Sequence, residues 1–168
     1  LVPPMAFIPA AERYQLMPAL DRWVLSAALV ALQSSLPKLS DVAVCAVNLS
    51  GQSLCDDHFL NSVVDLLDES RLDPGRICFE ITETAAIANL ARATRFISVL
   101  KGMGCRFALD DFGSGLSSFS HLKHLPVDFL KIDGGFVRDM ANDPVDAAMV
   151  EAINRIGHVM GIRTIAES

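Results

Sequence analysis

Six residues of a kind that handles charged substrates each sit where an apolar run ends: Asn48, Glu80, the consecutive Asp110 and Asp111, Lys131 and Glu167. Singly, each has an ordinary explanation. Asn48 and Asp111 would cap helices or brace turns, and a charged strand end would simply meet water. As a set they are four carboxylates, one amide and one lysine, and such a set needs a cation among its members. Glu80 is in phase with Cys78 and Thr82, while Phe79 and Ile81 point the other way. An unpaired carboxylate facing an interior would be costly. Lys131 and Asp133 share a phase in the same manner, opposite Leu130 and Ile132. Oxygen donors with no Cys/His set beside them favour Mg²⁺ or Mn²⁺ over zinc. Two such ions about 3.5–4 Å apart would clamp a phosphodiester and activate a water. Lys131 would orient or deprotonate that water, or offset charge building on the phosphate. Phe112–Ser118, with Gly113 and Gly115, reads either as a flexible loop beside the site or as a plain tight turn.

The elements that must hold these residues alternate along the chain. Pro9 to about Ser35 carries a helical period through Leu16, Leu20, Trp23, Val24, Ala27, Ala28, Val30 and Ala31, with Trp23 on the core face. Val42–Val47 is continuously apolar, as a parallel strand buried on both faces would be. A helix is expected from about Asp56 to Ser70. A strand over Arg76–Thr82 follows, entered through Asp73-Pro74-Gly75. Asn89 caps the next predicted helix, which Gly102 and Gly104 end. Strands are expected at Cys105–Leu109, Val127–Ile132 and Ile162–Ala166, with a helix opened by Asp143-Pro144 and closed at Gly161. This alternation predicts an α/β fold on a parallel sheet in a single domain. A Rossmann reading lacks its Gly-rich turn, because Asn48-Leu49-Ser50-Gly51 follows the first strand. Polar residues at every strand end fit a β/α barrel, whose active sites form at that mouth. Five strands are too few to close a barrel of eight, so the rest are expected beyond the ends of this chain. The start at Leu1 and the stop at Ser168 read as cuts in something longer.

Composition narrows the classes. With 14 Lys+Arg against 20 Asp+Glu, the 168 residues carry a formal charge of −6. Without a basic cluster, that balance argues against binding of a DNA or RNA duplex. Apolar residues at 51% exclude a disordered chain. Cys45, Cys55, Cys78 and Cys105 form no C-x-x-C pair and read as buried reduced thiols of a cytoplasmic protein, with a membrane-attached parent chain still allowed. His121 and His124 read as a solvated helix face, and His58 and His158 as lone structural residues.

Asp110-Asp111-Phe112-Gly113-Ser114-Gly115, followed by Leu130-Lys131-Ile132-Asp133, resembles the EAL-domain cyclic di-GMP phosphodiesterases. Phe7-Ile8-Pro9-Ala10-Ala11-Glu12, Val47-Asn48-Leu49-Ser50, Phe79-Glu80-Ile81-Thr82-Glu83-Thr84 and Ile165-Ala166-Glu167 match in order. The resemblance implies a modified (β/α)8 TIM-like barrel whose first strand runs against the others, in a family that is often dimeric. Carried over, Asn48, Glu80, Asp110, Asp111 and Glu167 fall on metal positions, Lys131 on the catalytic lysine, and Glu83 on the glutamate that anchors the loop after the double aspartate. The implied reaction is Mg²⁺- or Mn²⁺-dependent hydrolysis of cyclic di-GMP to linear pGpG in bacterial second-messenger signalling. Residues 1–168 would be one EAL-domain fragment lacking the first strand, with its Glu-Ala-Leu motif, and the C-terminal part of the barrel. Fusion to sensory or GGDEF domains is implied as well. Leu116 stands where the family usually has Tyr. On this reading the 168 residues alone hydrolyse little or nothing. A catalytically silent cyclic di-GMP receptor is the alternative, and an unrelated metal-dependent barrel hydrolase or aldolase a third.

Overall fold

The computed structural model describes residues 2–35, 44–113 and 119–167. Its sheet has five parallel strands in the order β1-β2-β3-β4-β5: Cys45–Leu49, Ile77–Thr82, Arg106–Phe112, Phe129–Ile132 and Arg163–Ala166. Helices α2 (Met17–Ser35), α4 (Asp57–Ser70), α6 (Leu90–Gly102) and α9 (Pro144–Val159) are the long ones, and α1 (Pro4–Arg13) precedes them. Short helices α3 (Gly51–Leu54), α5 (Glu83–Ala88), α7 (Phe119–Leu122) and α8 (Gly134–Asp139) occupy the connections. Side chains that accept from free backbone N–H groups start several of them. Ser50 caps α3, Asp56 α4, Thr82 α5, Asn89 α6, Asp133 α8 and Asp143 α9.

One face of the sheet and the long helices make the core. Val47 and Leu49, Ile77, Phe79 and Ile81, Phe107 and Leu109, and Leu130 and Ile132 are buried against Leu25 and Leu29 of α2, Phe59 and Val63 of α4, and Phe96 and Ile97 of α6. Phe96 stacks on Phe59 at 6.1 Å and meets Phe107 edge-on at 6.4 Å, so α4, α6 and β3 share one aromatic cluster. The opposite face carries Asn48, Glu80, Arg106 and Lys131. At the back of the sheet α9 approaches closely. A Cβ on Gly157 would come within 2.7 Å of Thr164 Cγ2, so only glycine fits there.

Four expectations need correction. The single helix from Pro9 to Ser35 is two, α1 and α2, broken where Gln15 takes a left-handed φ of 57°. Trp23 does not face the core but is 68% exposed, because Met17, Asp21, Leu25, Leu29 and Leu32 supply the buried stripe instead. The first strand starts at Cys45, and the expected Val42 and Ala43 lie outside the described residues. It is not buried on both faces, since Val47 and Leu49 are covered while Ala46 and Asn48 are exposed. The third strand runs past Leu109 to Phe112 and so includes both aspartates. All four cysteines are free thiols, as expected, but only Cys78 and Cys105 are buried, while Cys45 and Cys55 are half-buried. Among the described residues, no helix is long and apolar enough to cross a membrane.

Candidate active site

Parallel register brings the polar strand ends to one edge. Asn48 lies opposite Glu80, Thr82 opposite Asp110, and Lys131 opposite Ile165. Glu167 follows β5 directly, its N–H donating to the Ile132 carbonyl at 3.3 Å. The side chains then converge on a single point. Lys131 Nζ lies 2.7 Å from Glu167 Oε1, 2.9 Å from Glu80 Oε2 and 3.0 Å from Asp110 Oδ1. Only 11% of the lysine side chain is exposed. Burial alone would pull its ammonium down, but hydrogen bonds to Glu167, Glu80 and Asp110 outweigh that and hold it well above the ordinary lysine value.

Asp110 and Asp111 owe their placement to a bulge. Leu109 pairs with Leu130 and Phe112 with Ile132, so β3 spends one more residue than β4 over that interval. Asp111 absorbs the excess with a φ of 53°, a left-handed conformation that is costly for most residues with a side chain and least so for Asp and Asn. Its N–H donates to the neighbouring Asp110 Oδ1 at 3.0 Å. The turn lets both carboxylates reach the same side, and Asp110, Asp111 and Glu167 each offer an oxygen within 4.8 Å of the others. Burial, then the charges of Asp110 and Asp133, push the Asp111 carboxyl above its usual range. Asp133 accepts from Gly135 N–H at 2.6 Å and caps α8, so its in-phase position beside Lys131 serves the helix start.

Glu83 opens α5 and is 3% exposed, with Oε2 accepting from Gly113 N–H at 3.2 Å. That bond ties α5 to the residue after β3. The expected loop residues Ser114–Ser118, Leu116 included, lie outside the described residues. Asn48 is adjacent to the cluster in register but outside its ion pairs. Among the described residues its carboxamide makes no hydrogen bond. It lines a cleft of about 830 Å³ between α1, α2 and the end of β1, with Phe7, Met17, Trp23 and Thr82. His121 lies on α7 and His124 just beyond it, while His58 and His158 lie on α4 and α9, all away from the cluster.

The sequence analysis passed over Asp21. Its four-residue spacing from Met17 and from Leu25 was the available signal, since it places a carboxylate on the buried stripe of α2.

With this geometry in view, the family comparison is decisive: the model of the EAL domain matches residues 1–168. The chain belongs to the EAL domain family. It is 40% identical over 167 residues to the cyclic di-GMP phosphodiesterase PdeB of Shewanella oneidensis, covering 99% of this chain and 19% of that protein. It is 34% identical to MucR of Pseudomonas aeruginosa, named a bifunctional diguanylate cyclase/cyclic di-GMP phosphodiesterase, of which it spans 24%. Among solved structures, the MucR phosphodiesterase in complex with c-di-GMP superposes with a TM-score of 0.91 at 34% identity, over 99% of this chain and 68% of that one. The EAL domain of FimX from Pseudomonas aeruginosa bound to c-di-GMP gives 0.89 at 32%, over 99% and 67%. The chain thus spans about a fifth to a quarter of the curated relatives it matches. The fold is that of an EAL domain of the TIM-barrel type, seen here as five parallel strands.

The cluster suits a hard divalent cation. Its donors, Asp110, Asp111 and Glu167, are carboxylate oxygens from the ends of β3 and β5, gathered within reach of one another, with no thiol or imidazole in the set.

Proposed function

We propose that this chain supplies the greater part of the active site of a cyclic di-GMP phosphodiesterase, which hydrolyses one phosphodiester to give linear pGpG. The observation that carries the reading is the meeting of Glu80, Asp110 and Glu167 on Lys131 Nζ at 2.7–3.0 Å, with Asp111 turned toward the same side. Asn48, Glu80, Asp110, Asp111 and Glu167 would hold Mg²⁺ or Mn²⁺. When bound, such ions supply charge neutralisation for the phosphodiester and activation of the attacking water. Lys131, within 3.0 Å of three of these carboxylates, would orient or deprotonate the attacking water or offset charge building on the phosphate. Glu83, through Gly113, fixes the segment that leaves the double aspartate and so sets where Asp111 points. The barrel is completed by strands outside these residues, in a longer cytoplasmic or membrane-attached protein with sensory or GGDEF domains, and two copies pair as a dimer. The five-stranded sheet and the two-thirds coverage of the solved EAL chains support the first of these statements.

The test uses the protein extended to a complete EAL domain, incubated with cyclic di-GMP and Mg²⁺ or Mn²⁺ and followed by chromatography. pGpG appears, and Glu80→Ala abolishes it. Intact nucleotide from a folded protein that binds both metal and cyclic di-GMP would move the assignment to a receptor.

A further inference from the structure

Asp21 places a carboxylate, 5% exposed, in the apolar stripe of α2 between Met17 and Leu25. A charge in such a position is tolerated only when it is fully hydrogen-bonded. Its Oδ2 accepts from the Ser50 backbone N–H at 2.9 Å and from the Ser53 hydroxyl at 2.6 Å. The Ser50 hydroxyl donates in turn to Ser53 Oγ at 3.1 Å, while Ser50 Oγ accepts from Ser53 N–H at 3.2 Å. A directed relay therefore runs from Ser50 through Ser53 to Asp21, and it clamps the first turn of α3. Ser50 stands two residues beyond Asn48. No hydrogen bond among the described residues holds the Asn48 carboxamide, so its aim depends on its backbone, which the β1–β2 ladder holds through Leu49 and this clamp holds from Ser50 onward.

We propose that Asp21 is a positioning residue for the metal site: from α2 it anchors the Ser50–Ser53 turn and thereby sets Asn48 against Glu80 across β1 and β2. The proposal rests on the metal-dependent reading given above. Groups hydrogen-bonded directly to a metal ligand alter metal affinity about 10–100-fold when lost, and that range bounds the effect of Asp21, which acts one step further out through Ser50.

The test measures Mn²⁺ affinity by calorimetry on the complete domain, with kcat, KM and melting temperature alongside. Asp21→Ala weakens Mn²⁺ binding by up to about 10–100-fold and lowers kcat. Asp21→Asn keeps an oxygen that accepts both hydrogen bonds, and it holds the affinity within about threefold. Leu25→Ala, one helical turn away on the same stripe, lowers the melting temperature and leaves Mn²⁺ affinity unchanged. If Asp21→Ala does no more than Leu25→Ala, Asp21 is merely structural and the proposal is overturned. Should Asp21→Ala fail to fold, Ser53→Ala replaces it, and unchanged affinity there overturns the proposal equally. Mn²⁺ binding without hydrolysis by the parent protein would remove the phosphodiesterase assignment and leave Asp21 to be decided on affinity alone. A parent protein that binds no Mn²⁺ would overturn both.

Discussion

Replacing Lys131 by Met would remove the one cation shared by three carboxylates while keeping the volume of the side chain. Glu80, Asp110 and Glu167 lie within 3.0 Å of its ammonium, and their side chains are 15, 14 and 31% exposed. Breaking a buried ion pair by removing one partner costs about 3–5 kcal/mol. Partial exposure of Glu167 lets water recover some of that, so about 3 kcal/mol is the expected loss. For a domain of this size each kcal/mol moves the melting temperature about 2–4 °C, giving a drop of about 6–12 °C. Lys131 is held above the ordinary lysine value, so its contribution is fully present below that value and fades only as pH rises through the raised one. The full effect is therefore present at neutral pH. Circular-dichroism melting of the complete domain in chelator at pH 7 reads it directly. The double variant Lys131→Met/Glu80→Gln should fall short of the sum of the singles by about 1 kcal/mol or more, because the two share one interaction. A melting temperature within about 2 °C of the parent, or additive singles, would refute the claim that the lysine binds these strands together.

Asp111→Asn tolerates the left-handed backbone while removing the charge. The raised folded value of Asp111 means that its ionisation weakens the native state as pH rises. The variant should therefore melt about 1–2 °C higher at pH 7 in chelator, a small gain because the group is largely exposed, and the gain should vanish below the ordinary aspartate range. Burial, with smaller contributions from neighbouring carboxylates, raises the Cys78 and Cys105 thiols to about 11 and 12. In alkylation followed by mass spectrometry at pH 8, Cys45 and Cys55 are modified first. Labelling of Cys78 and Cys105 at comparable rates would contradict the packing. Gly157→Ala forces a methyl against Thr164 Cγ2 and should cost about 1–3 kcal/mol by urea denaturation. A neutral result would mean that α9 and β5 separate at little cost.

Much of the sheet was legible because a buried strand face writes itself in phase. Phe79 and Ile81 against Glu80, and Leu130 and Ile132 against Lys131, alternate in the sequence as they do across the sheet and so mark the core side. Helix starts were legible where caps are local, as at Asn89 and Asp143. The break after α1 was written in Pro18, which has no N–H to give to Tyr14 and disfavours a helix running through it, but the apolar period continues across Tyr14-Gln15 and masks that signal. Trp23 misled because an apolar residue near a stripe reads as part of it, whereas the axis of α2 is set by Leu25, Leu29 and Leu32. The bulge at Asp110-Asp111 was illegible for a different reason. It is a mismatch between two strands, and no single stretch of sequence contains both.

The sheet also has a temporal reading. Its spatial order β1-β2-β3-β4-β5 repeats the order of synthesis, so every strand pairs with the one made just before it. Pairing between neighbours in sequence limits each chain closure to a single crossover, and each strand and its helix can dock on a surface already formed. The charges arrive in the same sequence. Glu80 and Asp110 reach the growing edge before Lys131 is made, and Glu167 comes after it. The fourth strand therefore brings to the nascent sheet both its next ladder of hydrogen bonds and the cation that the earlier carboxylates require.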